Sequence, residues 1–229
     1  MAPPCLAAET ELQWVAGELP PFAWIGPGGA PQGYASELAL AMAQKLGRKP
    51  ELQFFPWARA VRMTAEGENF GVFPLARTPD REAGFRWLIP LMRVDYSFFV
   101  KRSQGATGNL LELRRQRVGV LRGSPIIKNL QAEGFKQITE AKDYKDLLRM
   151  LQQGMIAAIY AGTPMLQAAI DQAGLSREDF LISAQLGSAE LYMGASLKLS
   201  EAEAQRWLRA YEQLQAEGTV KELQQRYLK

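Results

Sequence analysis

Arg81 is the residue whose setting most invites chemistry. It lies in the stretch Phe70 to Leu88, FGVFPLARTPDREAGFRWL. Phe70 to Leu75 reads as a buried strand, and Leu75 and Ala76 stand at its exit. Thr78-Pro79 reads as a helical start, with Thr at the N-cap and Pro at the first helical position. Arg81 then falls in a first turn, where the helix dipole favours anions over cations. An arginine so placed is a candidate for holding an anionic group. The alternative is a solvated side chain paired with Asp80 or Glu82. Ser124-Pro125 repeats the same device after the strand Arg117 to Leu121. Free backbone N–H groups there suit an anion, or Ser124 merely caps a helix. Thr163-Pro164 is a third start of this kind.

Other chemistry is narrowed by what the chain lacks. It has no His and one Cys, Cys5. The commonest general base and metal ligand is therefore missing. An internal disulfide and a Cys-based metal cluster are excluded, as are Ser-His and Cys-His nucleophiles. An enzyme would have to rely on Asp, Glu, Lys or Tyr. No cofactor is called for. The net charge of +3 is spread without a basic block, so nucleic acid is not an expected partner. The 229 residues suffice for one large or two small cores, and the longest apolar runs are far short of a membrane span.

The elements that must position these residues follow from periodicity. Glu11 to Ala16 is a strand. It opens a Pro-, Gly- and aromatic-rich loop, Gly17 to Gly33, whose Phe22 and Trp24 are candidates for a ligand platform or a lid over the core. Ala35 to Leu46 is a helix stopped by Gly47. Glu51 to Phe55 is a strand, and Pro56-Trp57 opens the next helix, so Trp57 lies at a strand-to-helix junction as Arg81 does. Successive βα units predict a mostly parallel sheet flanked by helices, with ligands outside the carboxyl ends of the strands. Val94 to Arg102 is a strong strand. The pattern then restarts with strands at Arg117 to Leu121, Phe135 to Thr139 and Ile156 to Ala161, and a helix at Tyr144 to Gln153. Phe180 to Leu186 and Glu190 to Ser196 read as two strands. A helix from Ser200 to Ala216, capped by Ser200 with Glu203 three residues on, and another from Thr219 to Leu228 end the chain. Tyr160 and Tyr192 either line a cleft or pack in a core.

This order predicts two lobes. Residues 10–99 with 190–229 form the first, and residues 100–189 form a second inserted into it. Two connecting strands would be the hinge, and the cleft between lobes the site. Residues 1–9, with Cys5-Leu6-Ala7-Ala8 like the small-residue end of a secretory signal, read as a flexible tail left from an export signal.

These pieces together resemble the bacterial extracellular solute-binding proteins that serve amino-acid ABC importers, the two-lobed periplasmic binding proteins. LPPFAWIGPGGAPQGYASELALAMAQKLG, TPDREAGFRWLIPL, RVGVLRGSP, LQQGMIAAIYAG and EGTVKELQQRYL occur in that family's order. The resemblance implies the type II fold and a periplasmic monomer that closes on a small carboxylate-bearing solute and presents it to an inner-membrane ABC permease. It implies that Arg81 grips the carboxylate with two charge-assisted hydrogen bonds and that Ser124 holds it from the other lobe. Trp57 matches one of two sandwiching aromatic positions. The other falls at Leu19, which leaves Phe22 or Trp24 to supply the ring. Ala76 stands where a Ser or Thr usually contacts ligand. Gly162 stands where an Asp usually meets the ligand's ammonium, so either another acid such as Glu190 replaces it or the ligand is not a standard α-amino acid. Two other functions share the fold: a dehydratase-like enzyme using a carboxylate from Asp80, Glu82 or Glu190, and the ligand-sensing module of a receptor.

Overall fold

The computed structural model describes residues 11–49, 51–104 and 109–228, so the Cys5 to Ala8 segment lies outside the described residues. Strand β1 (Gln13–Ala16) runs into a loop carrying the short β2 (Trp24–Ile25) and β3 (Pro31–Gln32), then α1 (Tyr34–Lys45). β4 (Leu52–Phe54), α2 (Trp57–Glu66) and β5 (Phe70–Arg77) follow, and then the long β6 (Arg86–Lys101). Next come α3 (Leu110–Leu113), β7 (Val118–Leu121), α4 (Ile126–Ala132), β8 (Ile138–Ala141), α5 (Tyr144–Gln152), β9 (Ala158–Gly162) and α6 (Thr163–Gln172). A second long strand, β10 (Phe180–Ala195), leads to α7 (Glu201–Ala216) and α8 (Thr219–Tyr227).

The main sheet has the order β4-β1-β5-β10-β6-β9-β7-β8. At each end is a parallel trio: β1 between β4 and β5, and β7 between β8 and β9. The middle is the antiparallel pair β6 and β10, each 16 residues long. The trios attach at different heights on that pair. β5 bonds to β10 between Glu190 and Ala195, while β9 bonds to β6 between Tyr96 and Phe99. The two strands therefore pass from one α/β lobe to the other, which is the two-lobed architecture expected from the sequence.

Each lobe buries its own aromatic cluster. In one, Trp14 lies 5.5 Å from Phe73 and 5.4 Å, edge-on, from Trp207. In the other, Tyr160 and Phe135 stack on Phe98 of the crossing strand β6, at 4.5 and 5.2 Å. Glu203 anchors α7 to the first cluster. Its carboxylate, 1% exposed, takes both Arg48 Nη groups, the Leu12 N–H at 3.0 Å and the Trp207 indole N–H at 2.9 Å.

Several local expectations are corrected. Phe180 to Leu186 and Glu190 to Ser196 are not separate strands. They join through a register shift between Gln185 and Ser188, at a bulge where Gly187 takes a positive φ of 77°. The strand expected from Val94 begins eight residues earlier at Arg86, because pairing with β10 draws in a segment containing Pro90. Pro90 is exposed and sits opposite Tyr192 at another register shift, where a missing N–H is tolerated. Thr78 does not cap an α-helix. The chain makes a turn and a single 3₁₀ turn (Glu82–Gly84) capped by Arg81, and the buried Thr78 hydroxyl has no partner among the described residues. Ser124 is likewise not the N-cap of α4, which is Pro125. Thr163 is the first residue of α6 rather than its cap, and its hydroxyl accepts or donates at 2.9 Å with Ser97. Ser200 does cap α7, accepting from the Glu203 N–H at 3.1 Å.

Candidate ligand-binding site

The carboxyl ends of β1, β5, β7 and β9 converge, and the loops and helix starts beyond them enclose a small inner cavity of about 30 Å³. Such a volume holds about one or two waters, or a group of carboxylate size. Arg81 contributes from beyond β5, Trp57 from the start of α2, and Ser124 from the loop after β7. Tyr144 comes from the start of α5, Gly162 from the end of β9, and Tyr96 from the crossing strand β6. Ala76 and Tyr160 line it as well. Leu19, Trp57, Leu121 and Tyr144 are shared with a larger outer cleft of about 690 Å³, so the two cavities adjoin across these side chains.

Arg81 spans the groove. Its Nη2 donates at 2.9 Å to the Gly123 carbonyl of the opposite lobe, and its Nη1 lies 3.4 Å from the Ala76 carbonyl. Gly123 itself has a φ of 78°, and a Cβ there would lie 2.8 Å from the Ala58 Cβ on α2. Glycine thus allows both the left-handed turn and the close approach of the lobes. No carboxylate meets Arg81 among the described residues. Glu82 forms a bidentate pair with Arg77, at 2.9 and 2.5 Å, and Asp80 pairs with Lys128 at 2.7 Å. Both acids proposed as partners of Arg81 are therefore committed elsewhere. Burial pulls the Arg81 pKa down to about 10, with the nearby Tyr96 hydroxyl pulling it back up. Arg81 is still a cation at neutral pH.

The phenols beside it are held protonated. Burial raises Tyr96 to about 12, against the lowering influence of Arg81, and burial also raises Tyr144 and Tyr160. Tyr160 donates to the Leu186 carbonyl, so its hydroxyl is already used. The hydroxyls of Tyr96, Tyr144 and Ser124 have no hydrogen-bond partner among the described residues. The inner cavity therefore offers one guanidinium and three uncommitted hydroxyl groups, and its lining contains no acid.

A family model for the bacterial extracellular solute-binding proteins, family 3, matches residues 14–229. The chain belongs to that family. No curated protein matches it in sequence. Among solved structures, it is similar to an ancestral arginine-binding protein bound to arginine, at 19% identity and a TM-score of 0.83, covering 96% of this chain and 100% of that one. It is similar to a histidine kinase sensor domain, at 20% identity and a TM-score of 0.84, covering 96% and 97%. It is also similar to an ABC uptake transporter substrate-binding protein from Streptococcus pneumoniae with bound histidine, at 16% identity and a TM-score of 0.82, covering 94% and 91%. Identities this low establish the shared fold. Among the described residues, no helix is long and apolar enough to cross a membrane.

Five residues read as candidates in this family 3 chain lie outside the inner cavity. Leu75 is fully buried on the opposite face of β5 from Pro74 and Ala76, as strand alternation requires. Phe22 is fully buried because the tight turn Leu19–Ala23 folds it inward, with Phe22 N–H donating back to Leu19 at 3.0 Å. Trp24 packs edge-on against Tyr227 of α8 at 5.6 Å, so neither ring replaces the aromatic absent at Leu19. Glu190 points to solvent 3.7 Å from Arg93, and cannot supply the acid absent at Gly162. Tyr192 packs on Trp87 at 5.6 Å with the Arg77 guanidinium 5.3 Å from its ring. Conversely, sequence reasoning missed Tyr96, Tyr144 and Met165. Tyr144 had a signal: like Trp57, it opens a helix just beyond a strand. Tyr96 had none, because its facing depends on where β6 crosses between lobes.

Proposed function

We propose that this family 3 protein is a periplasmic binding protein that captures a small carboxylate-bearing solute, an amino acid or related organic acid, between two lobes. The lobes are residues 10–99 with 190–229, and residues 100–189. Closure about β6 and β10 buries the solute and presents a closed surface to an ABC permease of the inner membrane, the protein acting as a monomer. The single observation that carries this reading is Arg81, a partly desolvated cation that meets no carboxylate among the described residues and lines a cavity with residues from both lobes. A buried charge without an opposite charge is costly, and a carboxylate ligand satisfies it with paired hydrogen bonds. Ser124 approaches from the second lobe, and Trp57 forms a wall common to the inner cavity and the outer cleft. The role is binding rather than catalysis: Glu190, the acid an enzymatic role would lean on, sits outside the groove.

A thermal-shift screen of refolded protein against amino acids, polyamines and small organic acids tests this. One class of carboxylates should raise the melting temperature by several degrees, consistent with binding to the folded state alone. Stabilisation only by compounds lacking a carboxylate would refute it.

A further inference from the structure

The chemistry of the inner cavity selects against an α-amino acid. A guanidinium and hydroxyl donors suited to an anion line it, and no carboxylate lines it to balance an ammonium. Arg81, Tyr96, Tyr144 and Ser124 supply donors, while no Asp or Glu lines the cavity. Tyr96 and Tyr144 are only 4% and 5% exposed, and their side chains line the cavity with no hydrogen bond to another described residue. Hydroxyls free to donate into the cavity suit a carboxylate oxygen, which accepts from them. An ammonium on the adjoining α-carbon would be drawn out of water beside the Arg81 cation, with no carboxylate in the cavity lining to meet it. At Gly162 the flexible end of a methionine, not an acid, occupies this side of the cavity. A Cβ there would lie 2.7 Å from the Met165 sulfur and 2.9 Å from its methyl, so a thioether fills that side.

We infer that the solute bound here is a carboxylic acid with no ammonium on its α-carbon. This inference rests on the solute-binding reading of the same groove. The carboxylate enters the inner cavity between Arg81 and the Tyr96 and Tyr144 hydroxyls, and its α-carbon packs against Met165. The rest of the molecule extends past Trp57 and Leu121 into the outer cleft. That cleft has apolar walls at Phe54 and Phe55 and carries Glu18, Lys142, Asp143 and Lys145. The far end of the molecule can therefore be apolar or charged, whereas the carboxylate end is fixed.

Calorimetry on the refolded wild-type protein with matched pairs tests the inference. Each pair shares a tail and differs only by the α-amino group: phenylalanine and 3-phenylpropanoate, leucine and 4-methylpentanoate, glutamate and glutarate, lysine and 6-aminohexanoate. In each pair that binds, the acid without the α-amino group should bind at least 10-fold more tightly, and Arg81→Met should abolish that binding. An amino acid that binds as tightly as its partner overturns the inference and leaves the solute-binding reading intact. Retained binding by Arg81→Met also overturns it, because the head group would then lie elsewhere. Failure of every member of every pair overturns the carboxylate-solute reading and the inference together.

Discussion

Arg48 and Arg81 are both drawn into the protein, and what meets them differs. Arg48 closes on Glu203 with both Nη groups, while the same carboxylate takes the Leu12 N–H and the Trp207 indole. Arg81 meets two neutral carbonyls, those of Ala76 and Gly123. One site is complete within the folded chain and ties α7 to the first lobe. The other spans two lobes and keeps its charge uncompensated by any described acid. The contrast separates an ion pair that holds structure from a part-buried cation that is, on the proposed function, kept for a partner of opposite charge.

The strongest way to break this contrast is Glu203→Ala. It strips Arg48 of the carboxylate that takes both its Nη groups, leaving Glu11 at 3.3 Å, and removes the acceptor for the Leu12, Trp207 and Arg206 donors, a loss of about 3–5 kcal/mol. At roughly 2–4 °C per kcal/mol for a chain of this size, the melting temperature should fall by about 6–20 °C. A fall of less than about 2 °C would remove Glu203 from its structural role. Arg81→Met should do the opposite. Carboxylate affinity should drop about 100-fold or more, from the loss of charge-assisted hydrogen bonds, while the melting temperature holds or rises because an uncompensated charge is gone. Calorimetry and thermal unfolding on one sample separate the two effects, and a stability loss like that of Glu203→Ala would erase the distinction.

Acid sharpens the comparison. Burial alone would raise the Glu203 carboxyl, but hydrogen bonds from Arg48, Leu12 and Trp207 and the Arg48 charge hold it down, from 4.5 to about 2. A folded-state pKa below the unfolded one means a contribution that is full above about pH 5 and is lost as pH falls toward 2. The melting-temperature gap between wild type and Glu203→Gln should therefore be constant near neutrality and narrow progressively from about pH 4.5 toward pH 2. A gap that persisted to pH 2 would show that packing, not ionisation, is responsible. Smaller effects are expected from single hydrogen bonds. Tyr144→Phe should weaken carboxylate binding by about 10-fold with little change in stability. Ser200→Ala should cost about 1 kcal/mol in urea unfolding with no change in binding.

How much of this was legible beforehand differs between the same two regions. Arg81 could be read from its place past a strand end, and Trp57 and Ser124 from theirs, because βα connections carry residues to one edge of a parallel sheet. The Ser200 cap was also legible, since it needs only three residues of chain. Glu203 was read merely as the partner of that cap. Its true role depends on Arg48 and Leu12, which come from 155 and 191 residues away. Phe22 and Trp24 were read as a platform from their loop, but one turn and a contact with α8 send them away from the groove.

The sequence by itself determined the order of α/β units, the strand exits, the helix stops and the lack of histidine or cysteine chemistry. These are local or compositional, set by periodicity, turn residues and residue type. Tertiary structure alone decided that β6 and β10 run unbroken between lobes, because antiparallel pairing between Arg86 and Ala195 absorbs Pro90 and the Gly187 bulge. It alone brought Tyr96 and Tyr144 beside Arg81, and filled the space next to Gly162 with Met165. Which charges remain without an opposite charge is a property of three-dimensional neighbours, since a side chain's partners are fixed by packing across elements far apart in the chain.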